Sequence, residues 1–262
     1  MRKLIFSLAM LCCYAASAFA QFEGEIDMKT TSSQGGNGTS KIKVSKAGDF
    51  RIDASMTMPM KMGNAAEPMA MQMTMLKKKS APDVMLMLND KQKTYSEIDL
   101  KKMQEMSAKT APEGYAVTKL GTEKILGYTC EHVKLTKSGS KSGVAEMEMW
   151  LAKDVASYEL YMQMQGQQAG FAGTEMGKAL KAAGVEGFPV KSIAGGGNYA
   201  VTTEITKIEK KSVPSSAFEI PAGYTKQAGG MGAAMEGQMT PEMRKQMKEM
   251  MEKAKQDAGK SG

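Results

Sequence analysis

The sequence predicts a mainly β (α+β) protein: an antiparallel sheet with helical insertions, followed by a flexible Met-rich C-terminal tail that carries a short helix. Three observations lead there. Apolar residues recur at every second position over most of the chain, which is the period of half-buried strands. The 262 residues include one His, and 27 Met against 6% aromatic residues. The last forty residues change composition to Gly, Met, Lys and Gln.

The chain opens with Arg2 and Lys3, an apolar run from Leu4 to Ala16, and Ala18-Phe19-Ala20 before Gln21. Charge, apolar run and small residues in that order form a secretory signal, so residues 1–20 are expected to be removed after Ala20 and the product to be periplasmic or secreted. No small residue precedes Cys12 or Cys13 as lipobox cleavage requires, so a soluble exported product is expected. No later stretch reaches the ~18 apolar residues of a stable membrane span. Cleavage leaves Cys130 as the only thiol, which rules out an intramolecular disulfide even in an oxidising compartment. It also lowers the formal net charge from +7 to +5. That excess is scattered through Lys77 to Lys79, Lys101-Lys102 and Lys210-Lys211, a solvated face rather than a nucleic-acid surface.

The body is expected to run from 21 to 226. Phe22, Gly24, Ile26 and Met28 alternate with polar residues, and Ile42 and Val44 resume the alternation after the turn-rich Ser32 to Ser40. Phe50, Ile52, Ala54, Met56, Met58, Met60 and Met62 follow at every second position, then Gly-Asn-Ala-Ala-Glu-Pro, then Met69, Met71, Met73 and Met75. This reads as a hairpin with a six-residue loop, pairing Met62 with Met69, Met60 with Met71, Met58 with Met73 and Met56 with Met75. Asp83 to Asn89 reads as a strand buried on both faces and lying mid-sheet. Thr94 to Ile98, a helix over Leu100 to Ala108, and strands at Tyr115 to Leu120, Ile125 to Leu135 and Val144 to Leu151 come next. Val155 to Gly184 reads as an insertion over the sheet, with a helix from Thr174 to Ala183 ended by Gly184. Asn198 to Lys210 and an edge piece at Phe218-Glu219-Ile220 close the sheet. In the tail, 227–262, Thr240 and Pro241 start a helix to about Gln256, with Met243, Met247, Met250 and Met251 on one face.

The stretch Leu120 to Val133 (LGTEKILGYTCEHV), Gly187-Phe188-Pro189-Val190, and Val213-Pro214 with Phe218 to Tyr224 resemble a family of exported bacterial domains of unknown function. That family is in turn similar to the lipoprotein-carrier superfamily of LolA and LolB. The resemblance covers about Phe22 to Tyr224. It implies an antiparallel sheet curved into a half-barrel, helices over the concave face, and an apolar cavity between them. It brings no catalytic residue with it.

Eight thioethers, Met56, Met58, Met60, Met62, Met69, Met71, Met73 and Met75, are expected on one face. Three uses compete for them. They are flexible core filler, each burying apolar area worth about 1.5–3 kcal/mol. They are the lining of a concave cavity for lipid or lipidated-protein acyl chains, because unbranched polarisable side chains re-pack around varied apolar ligands. Or Met58, Met60, Met71 and Met73 hold Cu(I), which soft thioethers select. Cys130 and His132 stand two apart on a strand, with bases about 6.5–7 Å apart, too far for a ready nucleophile and base. The Gly195 to Gly197 cluster reads as a turn, since it lacks the Lys-Ser/Thr of a phosphate loop. Scattered carboxylates offer no acid–base pair, so the expected protein is not an enzyme, needs no cofactor and binds no nucleic acid. No pattern sets its oligomeric state.

Overall fold

The computed structural model describes residues 22–62, 65–108, 114–138, 146–156, 158, 160–161, 170–196, 199–228 and 245. The expected leader and the expected tail helix lie outside the described residues. Twelve strands form one open sheet: β1 (Gly24–Ser32), β2 (Asn37–Val44), β3 (Phe50–Met62), β4 (Ala65–Lys77), β5 (Val84–Asn89), β6 (Thr94–Asp99), β7 (Gly114–Ile125), β8 (Tyr128–Ser138), β9 (Glu146–Ala152), β10 (Phe188–Gly196), β11 (Tyr199–Lys210) and β12 (Thr225–Lys226). Their spatial order is β12-β6-β5-β4-β3-β2-β1-β11-β10-β9-β8-β7. All pairs are antiparallel except β12 with β6. The fold is therefore mainly β, as expected, and β12 and β7 leave it open.

Helix α1 (Leu100–Ala108) follows β6 directly, and helix α2 (Gly170–Ala182) precedes β10. Asp99 caps α1, its carboxylate accepting the Lys102 N–H at 3.1 Å, one of the donors a helix start leaves unpaired. At the end of α2 the Gly184 N–H donates to Lys181 O at 3.0 Å and the Val185 N–H to Leu180 O at 2.9 Å. Gly184 has φ +66°, the left-handed residue this helix ending requires.

The helices also show that the sheet curls. α1 touches α2, and α2 touches β7 at the far end of the sheet from β6. Eleven inter-strand gaps would span about 53 Å in a flat sheet, and two helices about 10–12 Å in diameter do not bridge that width. One core cluster accordingly joins Ile98 of β6 to Val133 and Leu135 of β8, with Ile26, Phe50, Leu180 and Phe188 between. The opposite face carries ion pairs such as Lys41–Asp27 at 2.7 Å and Lys134–Glu146 at 2.7 Å.

Five local expectations differ from the structure. The β3–β4 hairpin closes with two residues between Met62 and Ala65, not six, so Met62 faces Ala65, Met60 faces Glu67, Met58 faces Met69 and Met56 faces Met71. A two-residue connection is the commonest hairpin length; Pro68, directly opposite Pro59 inside the ladder, is a residue type that reads as loop. β10 was read as a motif and a turn, because Pro189 and the glycines mask a strand. Gly195 is needed inside it: a Cβ there would sit 2.3 Å from Tyr199 O. The single strand expected from Ile125 to Leu135 is broken by a two-residue turn, Leu126 (φ +51°) and Gly127 (φ +82°). Ser215–Phe218 is a 3₁₀ turn with Phe218 buried, and the edge strand is Thr225–Lys226. β5 is paired on both sides but lies near one end of the sheet rather than at its middle.

Candidate functional site

The methionine face is built by the register of β3 and β4. Ile52 faces Met75, Ala54 faces Met73 and Met56 faces Met71. The offset from the expected register is four residues, an even number, so the same side chains still share a face. Along β3 the side chains emerge progressively: Phe50 is 1% exposed, Ile52 8% and Met56 37%. On β4, Met75 and Met73 pack against the core, Met71 is buried and Met69 half-buried. For Met58, Met60 and Met62 the description extends to the backbone only.

The hairpin outruns its neighbours. β2 pairs with β3 only as far as Thr57, and β5 pairs with β4 only over Thr74 to Leu76. Positions 58–62 and 65–69 therefore form a two-stranded ribbon. At its root Met56 lies against Gly38 of β2, where a Cβ would meet Met56 Cγ at 3.1 Å and Ser55 O at 3.0 Å. A glycine at this point leaves room for the thioether to lie down on the sheet.

A groove of about 560 Å³ runs over β1 to β4. Met73 lines it beside Met28 and Ala54, and its polar lining includes Asp27, Lys41, Asp53 and Thr74. These groups are tied to one another or to neighbours: Arg51 Nε donates to both Asp53 oxygens at 2.9 Å, and the Thr74 hydroxyl donates to Asp53 at 2.9 Å.

Cys130 and His132 do not form a catalytic pair. The Cys130 thiol is buried, burial pushes its pKa up, and it donates to the Tyr128 carbonyl at 3.5 Å. His132 instead bonds Glu148 at 3.0 Å through Nε2 and stacks on Trp150, with ring centroids 4.0 Å apart and an interplanar angle of 10°. Trp150 donates its indole N–H to Glu123 at 2.7 Å and carries Lys191 Nζ 4.9 Å from its ring. These partners come from β7, β9 and β10. Their spacing in sequence gave no sign of the cluster, and each polar group in it is satisfied, as a packing unit requires. Among the described residues no group of three His, Cys, Asp or Glu side chains gathers as a metal site, and no helix is long and apolar enough to cross a membrane.

An open antiparallel sheet curled around α1 and α2, with an apolar inner face, defines a class of β-sheet proteins with a partly covered concave side. The chain belongs to the family described as a domain of unknown function, DUF4412, which it matches over residues 22–224. No curated protein matches the chain. Among solved structures it is similar to the lipoprotein LppX of Mycobacterium tuberculosis, at 11% identity and TM-score 0.36, covering 73% of this chain and 89% of that one. It is also similar to LprF of Mycobacterium bovis, at 12% identity and TM-score 0.34, covering 77% and 90%. A LolA superfamily protein of Nitrosomonas europaea is similar at 8% identity and TM-score 0.25, covering 77% and 91%. Similarity of this degree leaves the ligand to be argued from the chain's own residues.

Proposed function

We propose that this is a non-enzymatic, exported protein that binds apolar ligands, the acyl chains of lipids or lipidated proteins, on the Met-lined inner face of its sheet. One observation carries the reading: the apolar stripe of β3 and β4 continues past the core that covers it. Phe50 and Ile52 are buried at 1% and 8% exposure while Met56, two rungs further on, is 37% exposed. Exposed Met56 and half-buried Met69 form an apolar margin at the end of the stripe, and methionines adapt to ligands of varied shape. The order of charge, apolar run and small residues from Arg2 to Ala20 reads as a secretory signal and supports a role outside the cytoplasm.

Native mass spectrometry of the full chain purified from its own host, followed by organic extraction, tests this. Wild-type protein is expected to carry fatty-acyl species, and Met56→Glu with Met69→Glu to lose them, because a carboxylate in the stripe must be desolvated when an acyl chain is seated. Recovery of empty wild-type protein, or equal acyl loads in both proteins, overturns the proposal.

A further inference from the structure

We infer that the outer end of the stripe, Met56, Met69 and Met71, is a thioether site for Cu(I). Met56 and Met71 are directly opposed across β3 and β4, where side-chain bases stand about 4.5–5.5 Å apart, and Met69 is the same-face neighbour of Met71 on the diagonal, about 7–8 Å from Met56. Three rotatable bonds per side chain let such sulfurs converge on one ion. The set first suggested by the alternation, Met58, Met60, Met71 and Met73, does not share facing rungs: Met60 faces Glu67 and Met73 faces Ala54.

On the inner face of the hairpin Phe50 and Ile52 stand at the covered end of β3, and the rungs beyond Ala54 carry Met56, Met69 and Met71. Methionine also fills buried strand positions such as Met85 and Met87. What distinguishes the outer rungs is that their thioethers stand beside one another at an exposed margin, and soft uncharged sulfur selects Cu(I) over Zn(II) or Mg(II). Met56, exposed at 37%, gives the ion a route in. Thioethers carry no proton, so this site takes up Cu(I) without proton release, unlike one built on Cys130 or His132.

The test is withdrawal of Cu(I) from its bicinchoninate complex by the full chain under reducing, anaerobic conditions. One equivalent is expected to bind, with an affinity unchanged between about pH 5 and 8, where a His site would weaken in acid. The triple variant M56L/M69L/M71L is expected to lose affinity by about tenfold or more, since the sulfurs that touch the ion matter at least as much as the outer partners worth about 10–100-fold. Each swap conserves volume and is of the kind cores tolerate best; should the triple melt, Met56→Leu at the exposed position alone carries the test. The control M85L/M87L, in the buried core, is expected to bind as wild type. Cu(I) withdrawal and acyl loading are separate readouts on the wild-type chain, so failure of one leaves the other standing. Wild-type protein that withdraws no Cu(I), a triple variant that withdraws as much as wild type, or affinity that falls in acid overturns the inference.

Discussion

Gly187→Ala is expected to destabilise the fold far more than Gly184→Ala, although both glycines follow α2 and both have positive φ, +120° and +66°. At Gly184 a Cβ meets nothing within 4 Å, so the cost is that of left-handed backbone for an L residue, about 1–2 kcal/mol. At Gly187 the same Cβ would stand 2.7 Å from Ala152 C and O and 2.9 Å from Lys153 N. Those are backbone atoms at the end of β9, where Phe188 of β10 pairs with Ala152, so no side chain can swing aside. Forcing them apart adds roughly 1–3 kcal/mol of overpacking, giving about 2–5 kcal/mol in all against 1–2 at Gly184. For a domain of this size each kcal/mol moves Tm by about 2–4 °C, so Gly187→Ala is expected to lower Tm by about 4–20 °C and Gly184→Ala by about 2–8 °C. Thermal melts followed by circular dichroism on both variants make the comparison. Equal melting temperatures for the two variants would refute the close-approach argument.

Leu126→Asn is expected to raise Tm by about 2–4 °C, because Leu126 holds φ +51° while half its surface faces solvent; Asn tolerates the left-handed region and recovers about 1 kcal/mol, and a melt that does not rise speaks against backbone strain at this turn. The Tyr224 hydroxyl donates to Asp90, and that bond, ahead of desolvation, pushes its pKa up to about 12 from 10.0. A group held protonated by folding stabilises fully below its unfolded pKa and loses that contribution as pH rises through the folded value. Urea titrations of wild type and Tyr224→Phe should therefore differ most below about pH 10 and converge by about pH 12; a constant difference across that window would show that Tyr224 acts through packing alone.

Much of the architecture is legible because the strand period is local. Every expected alternating run of β1 to β4 is a strand, and the α1 limits agree because Asp99 caps it and a polar-apolar helical pattern follows. What failed was non-local or hidden by residue type. The β3–β4 register turned on choosing Gly63-Asn64 over the whole stretch to Pro68 as the connection, and periodicity alone is silent on that choice. Leu126 hid a turn because Leu rarely adopts positive φ. The stacking of His132 on Trp150 depends on which strands become neighbours, as does the parallel pairing of Thr225–Lys226 with β6. The register shift is even, so Met56, Met69, Met71, Met73 and Met75 still alternate onto one side of the strand pair.

The proposed function accounts for methionine at these rungs. On the proposed reading, seating about ten methylenes of an acyl chain gains about 8 kcal/mol at ~0.8 per CH₂. Ordering Met56, Met69 and Met71 costs up to about 5–6 kcal/mol. The difference is a few kcal/mol, which corresponds to reversible holding rather than permanent storage. Branched residues at the same rungs would cost less to order, leaving a larger surplus and slower release. A stripe that grades from Phe50 and Ile52 in the core to Met56 at the surface thus combines a rigid floor with an adaptable margin. The margin is where an acyl chain enters and leaves, and it is also where the thioethers stand close enough to share an ion.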